Sequence, residues 1–130
     1  MSLSILVVDD SMVMRNVIIK TLQLSGLPIA DVFQASNGEE GLKVLQNNWI
    51  DLALVDINMP VMNGVEMLKR IRHDPETEHL SVIVVSSESS SSRIKAFKEH
   101  NAGFVHKPFT PERLKDEVMN TITGGLDEKY

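Results

Sequence analysis

No cysteine occurs among the 130 residues, which excludes a disulfide framework, a thiolate metal site and a thiol nucleophile. A secreted, disulfide-stapled module is thereby out, and the cytoplasm is the default compartment. Long hydrophobic runs are missing too. Stretches such as Ile5-Leu6-Val7-Val8 and Val82-Ile83-Val84-Val85 span four residues, whereas a membrane-crossing helix needs about 20. The N-terminus lacks the basic-then-apolar order of a signal peptide. Positive charge is scarce: 13 Lys+Arg against 18 Asp+Glu give a net charge of −5, with no long basic run. That balance argues against a nucleic-acid surface. Neither G-x-G-x-x-G nor G-x-x-x-x-G-K-[ST] occurs, which removes the usual nucleotide cradles.

What is present is an alternation of short apolar runs with longer stretches of helical period. Strands are expected at Ile5–Val8, Ile29–Ala35, Leu52–Val55, Val82–Val85 and Gly103–His106. Between them, helices are expected from Ser11 to about Ser25, from Asn37, over Gly64–His73, near Arg93–His100 and over Pro111–Ile122. On the first helix, Met14, Val17, Ile18, Thr21 and Leu22 form one stripe, and Gly26 is its expected stop. Asn58 to Gly64 forms a loop, and the serine-rich run Ser86–Ser92 is expected to be a hydroxyl-rich loop ending in a helix cap. The seven methionines, Met59 and Met62 included, are expected as adaptable filler. This is the α/β pattern (βα)5: a doubly wound, five-stranded parallel sheet flanked by helices. One domain over residues 1–124 is expected, followed by a short frayed tail at 125–130.

In such sheets ligands bind beyond the carboxyl ends of the strands. The residues found there are Asp9-Asp10 after the first strand, Asp56 after the third, Ser86-Ser87 after the fourth and Lys107 after the fifth. Asp51 enters the third strand at the opposite end. Taken singly, an Asp pair is a common solvated turn and a Ser before a helix a common cap. Together, three clustered acids would repel one another without a cation. Carboxylates without His or Cys suit a hard ion such as Mg²⁺. Three Asp, one Lys and one Mg²⁺ sum to about zero, so the rim can accept a dianionic phosphoryl group. Asp56 stands alone and is the candidate nucleophile for an aspartyl-phosphate.

At Val7-Val8-Asp9-Asp10, Val55-Asp56-Ile57-Asn58-Met59-Pro60, Asn63-Gly64, Val85-Ser86 and Lys107-Pro108-Phe109, the chain resembles the response-regulator receiver domain of two-component signalling. It is closest in style to single-domain, CheY-like chemotaxis regulators, and the resemblance covers residues 4–122. It implies a flavodoxin-like fold and a phosphorylation switch rather than an enzyme acting on free substrate. Asp56 would be the phosphoacceptor. Mg²⁺ would be held by Asp10, Asp56 and the Asn58 backbone carbonyl, with Asp9 acting through a metal-bound water. Lys107 would pair with phosphoryl oxygens, ahead of a cis bond to Pro108. Ser86 and Phe104 would be the moving hydroxyl and the aromatic switch, while Asn58 and Glu88 would tune phosphoryl lifetime. Ile94, Phe104, His106, Phe109 and Thr110 would lie on or near the face read by a partner. His106 is most simply an outward polar residue, and Asn63 replaces the commoner Asp before Gly64.

The resemblance also implies partners: a histidine kinase or phosphotransfer protein as donor and a protein target downstream, with no nucleic acid and no membrane insertion. With no output domain in this sequence, action by protein contact or phosphoryl relay is expected, as a monomer or a weak phosphorylation-dependent dimer. An alternative is a small phosphatase of the haloacid-dehalogenase type. Those enzymes carry a second acid two residues after the nucleophile, where this chain has Asn58.

Overall fold

The computed structural model describes residues 2–57, 59–87 and 91–127, with the side chains of 91–93 and 124–127 excepted. Ten elements alternate along the chain: β1 (Leu3–Val8), α1 (Met12–Leu24), β2 (Ile29–Ala35), α2 (Gly38–Asn47), β3 (Leu52–Asp56), α3 (Gly64–His73), β4 (Ser81–Ser86), α4 (Ser91–Glu99), β5 (Gly103–His106) and α5 (Pro111–Asp127). The five strands form one parallel sheet in the order β2-β1-β3-β4-β5.

Strand side chains alternate between the two faces, and the core divides accordingly. Ile5, Val7, Leu52, Leu54, Ile83, Val85 and Val105 pack with Ile18 and Leu22 of α1 and with Leu114 and Val118 of α5. Leu6, Val8, Ala53, Val55, Val82 and Val84 pack on the other face with Met67, Leu68 and Ile71 of α3 and Phe97 of α4. Strands buried on both faces explain the unbroken apolar runs of β1, β3 and β4. Each fully buried Ile or Leu contributes about 2 kcal/mol from burial. Met59 and Met62 are buried in the second cluster, as filler.

The observed elements depart from the expected ones at several points, Ser91 and Ser92 among them, which open α4 rather than end a loop. Val17 lies on the expected stripe of α1 yet is 47% exposed, because Ile18 and Leu22 take the sheet-facing positions. Asp56 and Ser86 are the last residues of β3 and β4 rather than the first of the following loops. Helix α5 runs past Ile122 through Gly124-Gly125 to Asp127, since glycine weakens a helix without breaking its hydrogen-bond ladder.

Helix starts are pinned by side-chain caps, which in turn fix the loops at the carboxyl rim of the sheet. Ser11 Oγ accepts the Met14 N–H at 3.1 Å, Asn37 Oδ1 that of Glu40 at 2.9 Å, Asn63 Oδ1 that of Glu66 at 2.9 Å and Thr110 Oγ1 that of Arg113 at 3.1 Å. Asn63 therefore serves as the N-cap of α3, a role Asp would fill equally. At the end of α1, Gly26 adopts φ +84° as the expected stop. At the opposite pole, Asp51 Oδ2 accepts the Ser4 N–H at 2.8 Å and Oδ1 the Trp49 indole N–H at 3.0 Å. That carboxylate is structural.

Candidate functional site

Strand β1 has β2 on one side and β3 on the other, so chain direction across the sheet reverses there and leaves a crevice at the carboxyl end. Asp9 and Asp10 follow β1 and Asp56 ends β3, directly at that crevice. One carboxylate oxygen from each lies within 4.8 Å of those of the other two. Lys107, just past β5, points its Nζ to within 3.5 Å of both Asp9 Oδ2 and Asp56 Oδ1.

Asp9 is 2% exposed and held from several sides. Its N–H donates to the Ala35 carbonyl at 3.1 Å. Its Oδ1 accepts the Ser11 N–H at 2.9 Å, and its backbone carbonyl accepts Arg15 Nη1 at 2.7 Å. The other carboxylate oxygen, Oδ2, is buried with no hydrogen-bond partner among the described residues and has the Lys107 ammonium 3.5 Å away. Burial pushes the Asp56 carboxyl above its ordinary pKa, opposed by Lys107 and reinforced by the Asp9 charge. Asp10 is exposed.

Three carboxylates facing one ammonium leave a formal excess of about two negative charges. An orphaned buried oxygen and an all-oxygen donor set fit a hard divalent cation. Asn58, the expected carbonyl donor, lies outside the described residues, as does Glu88.

Gly64, at the start of α3, packs directly against the end of β3. The Gly64 N–H donates to the Ile57 carbonyl at 2.9 Å. A Cβ at Gly64 would overlap the Asp56 carbonyl oxygen, so only glycine fits. On the far side, buried Ser86 accepts the Lys107 N–H on its carbonyl at 2.8 Å, and the Lys107–Pro108 bond is cis.

The residues expected at the partner face are spread over two environments. The Phe104 ring is half-buried and lies nearly parallel to Phe97 of α4, centroids 6.4 Å apart and planes at 9°. Exposed His106 tilts against Phe104 at 6.4 Å. Ile94 is half-buried and Thr110 is exposed. Phe109 packs with the α1–α5 core instead, on the other face of the sheet from Phe104.

Two arginines and a valine escaped the sequence reading. Arg15 reaches back from α1 to the Asp9 carbonyl, and Arg72 donates to four backbone carbonyls, those of nearby Glu78 and Leu80 and of distant His100 and Asn101. Val61, in the loop after Asp56, has φ 68°. No residue-type pattern marks contacts to backbone carbonyls. Among the described residues, no helix is long and apolar enough to cross a membrane.

Comparison with known proteins agrees with this geometry. Residues 5–119 match the model of the response regulator receiver domain. The chain is 35% identical over 128 residues to a chemotaxis protein CheY homolog of Campylobacter jejuni, covering 97% of each. It is 36% identical over 127 residues to chemotaxis protein CheY1 of Helicobacter pylori, covering 96% of this chain and 100% of that one. Among solved structures, the chemotaxis response regulator CheY4 of Vibrio cholerae superposes with a TM-score of 0.81 at 31% identity, over 93% of this chain and 99% of that one. A putative response regulator from Chloroflexus aurantiacus gives 0.85 at 27% identity, over 95% and 99%. With its sheet order, its acid trio and its lysine in place, the chain belongs to the response regulator receiver domain family.

Proposed function

We propose that the protein is a CheY-like phosphorylation switch that accepts a phosphoryl group on Asp56 from a phosphohistidine of a sensor kinase or phosphotransfer protein. The observation that carries the reading is the shared Lys107 ammonium, 3.5 Å from both the acceptor carboxylate and buried Asp9. An Asp56 oxygen bonds to phosphorus as the phosphorus–nitrogen bond of the donor breaks, and the imidazole leaves. Lys107 neutralises a phosphoryl oxygen, while the Gly64 turn and the end of β3 hold Asp56 at the rim.

Asp9, Asp10 and Asp56, with the Asn58 carbonyl, would hold Mg²⁺, which supplies charge neutralisation to the transferring group. Ser86 and Phe104 serve as the switch, with Asn58 and Glu88 setting how long the phosphoryl group lasts. Ile94, Phe104, His106, Phe109 and Thr110 lie on or near the surface a downstream protein reads, Phe109 acting through packing. The protein works in the cytoplasm, as a monomer or a weak phosphorylation-dependent dimer. It turns over no free substrate beyond the slow loss of its own phosphoryl group.

A phosphatase of the haloacid-dehalogenase type is not favoured, since Asn58 stands where its second acid is needed. Exposing the protein to a small acyl phosphate with Mg²⁺ separates the two. The switch takes up one phosphoryl group per chain and releases phosphate slowly afterwards. Rapid multiple turnover of a phosphate monoester would overturn the reading.

A further inference from the structure

We infer that Arg15 is a positioning residue for the acid trio: its guanidinium fixes the Asp9–Asp10 peptide and thereby sets where the Asp10 carboxylate meets Asp56. The inference rests on the reading of Asp9, Asp10 and Asp56 as a divalent-cation site.

Arg15 lies one turn into α1, and its fork spans two partners. Nη1 donates to the Asp9 carbonyl at 2.7 Å, and Nε donates to Gln34 Oε1 on β2 at 2.9 Å. Gln34 is paired in register with Val7, so the arginine is itself anchored to the sheet beside the acid loop. The Asp9 carbonyl and the Asp10 N–H belong to one planar unit. Holding that carbonyl fixes the plane from which the Asp10 side chain departs.

This matters because, among the described residues, nothing else holds the Asp10 side chain. It is exposed, and among the described residues no hydrogen bond or ion pair anchors its carboxylate. Lys107 lies against Asp9 and Asp56, not Asp10. Repulsion from those two acids therefore favours rotation of Asp10 away from the crevice. The same repulsion pushes the Asp9–Asp10 backbone outward, and Arg15 opposes that shift, leaving Asp10 only its own side-chain torsions to adjust. The cost is a positive charge near a cation site, so only a charge-conserving substitution isolates the positioning role.

Arg15→Lys keeps the charge and loses the planar fork, because one ammonium on a flexible stem cannot reproduce the two-partner geometry. Gln34→Met removes the Nε partner alone. Binding of Mn²⁺, standing in for Mg²⁺, is measured by electron paramagnetic resonance. The Mg²⁺ dependence of phosphorylation by an acyl phosphate is followed in parallel. For Arg15→Lys the Mn²⁺ dissociation constant and the half-saturating Mg²⁺ concentration should both rise about tenfold, as for other partners that orient a metal ligand. The rate at saturating Mg²⁺ should stay at the wild-type level, and Gln34→Met should show a smaller rise. Unchanged metal affinity in both variants overturns the inference, as does a fall in the saturating rate with affinity intact. Failure of the wild-type chain itself to bind Mn²⁺ overturns the cation-site reading beneath it.

Discussion

The Lys107 ammonium stands 3.5 Å from Asp56 Oδ1, on a side chain only 12% exposed, and divides its charge between that carboxylate and Asp9. Replacing Lys107 by Met leaves two desolvated acids facing each other, with Asp9 Oδ2 buried and wholly unpaired. In metal-free buffer this should cost about 2–3 kcal/mol of stability. Saturating Mg²⁺ should return part of the loss, because the cation takes over the neutralisation. Urea unfolding with EDTA and with Mg²⁺ measures both.

The raised pKa of Asp56 gives a pH dependence of definite sign. Burial is its main cause, so the folded state holds the proton more tightly than the unfolded chain does. Ionised Asp56 therefore costs stability above that pKa, and the cost disappears as pH falls through it. Asp56→Asn should stabilise the metal-free protein near about pH 7 and lose that advantage as pH drops toward about 4. Melting temperatures of the two proteins in EDTA, compared across that range, check the sign.

Val61 holds φ 68° although it is β-branched, and the residue is 74% exposed. The strain therefore brings no burial in return. Val61→Asn, whose side chain tolerates the left-handed region, should stabilise the protein by about 1 kcal/mol. A urea midpoint that does not rise would show that the loop relaxes around the valine.

Arg72 joins three segments through carbonyls alone: His100 at 2.7 Å, Leu80 at 2.7 Å, Glu78 at 3.1 Å and Asn101 at 3.3 Å. Arg72→Met removes these donors, and the bonds to His100 and Leu80 are partly buried, so the change should cost about 2–3 kcal/mol. Hydrogen exchange should show the loss first in the turn between α4 and β5.

The sheet and its rim were legible in the sequence because both rest on local pattern. Four-residue β-branched runs mark strands buried on both faces, and caps such as Asn37 and Thr110 sit where helices begin. Once the strands were placed, the topology of a doubly wound sheet put Asp9, Asp10, Asp56, Ser86 and Lys107 on one edge. What stayed hidden depends on contacts distant in sequence. Arg72 meets carbonyls as far as 29 residues away, and backbone acceptors have no residue type to betray them. Phe109 and Phe104 sit five positions apart but face opposite core clusters, because Phe104 packs toward Phe97 of α4 whereas Phe109 directly precedes α5, which covers the other face. Val17 fitted the stripe of α1, yet helical period alone does not say how wide a stripe the sheet will cover.

Asp56 is the proposed site of phosphorylation. Mass spectrometry after treatment with an acyl phosphate and Mg²⁺ tests it most directly, with the modified peptide mapped in wild type and in Asp56→Asn. One phosphoryl group is expected on the peptide that contains Asp56, dependent on Mg²⁺ and absent from the variant. A phosphoryl group on another residue of the wild type, or undiminished labelling of Asp56→Asn, would contradict it.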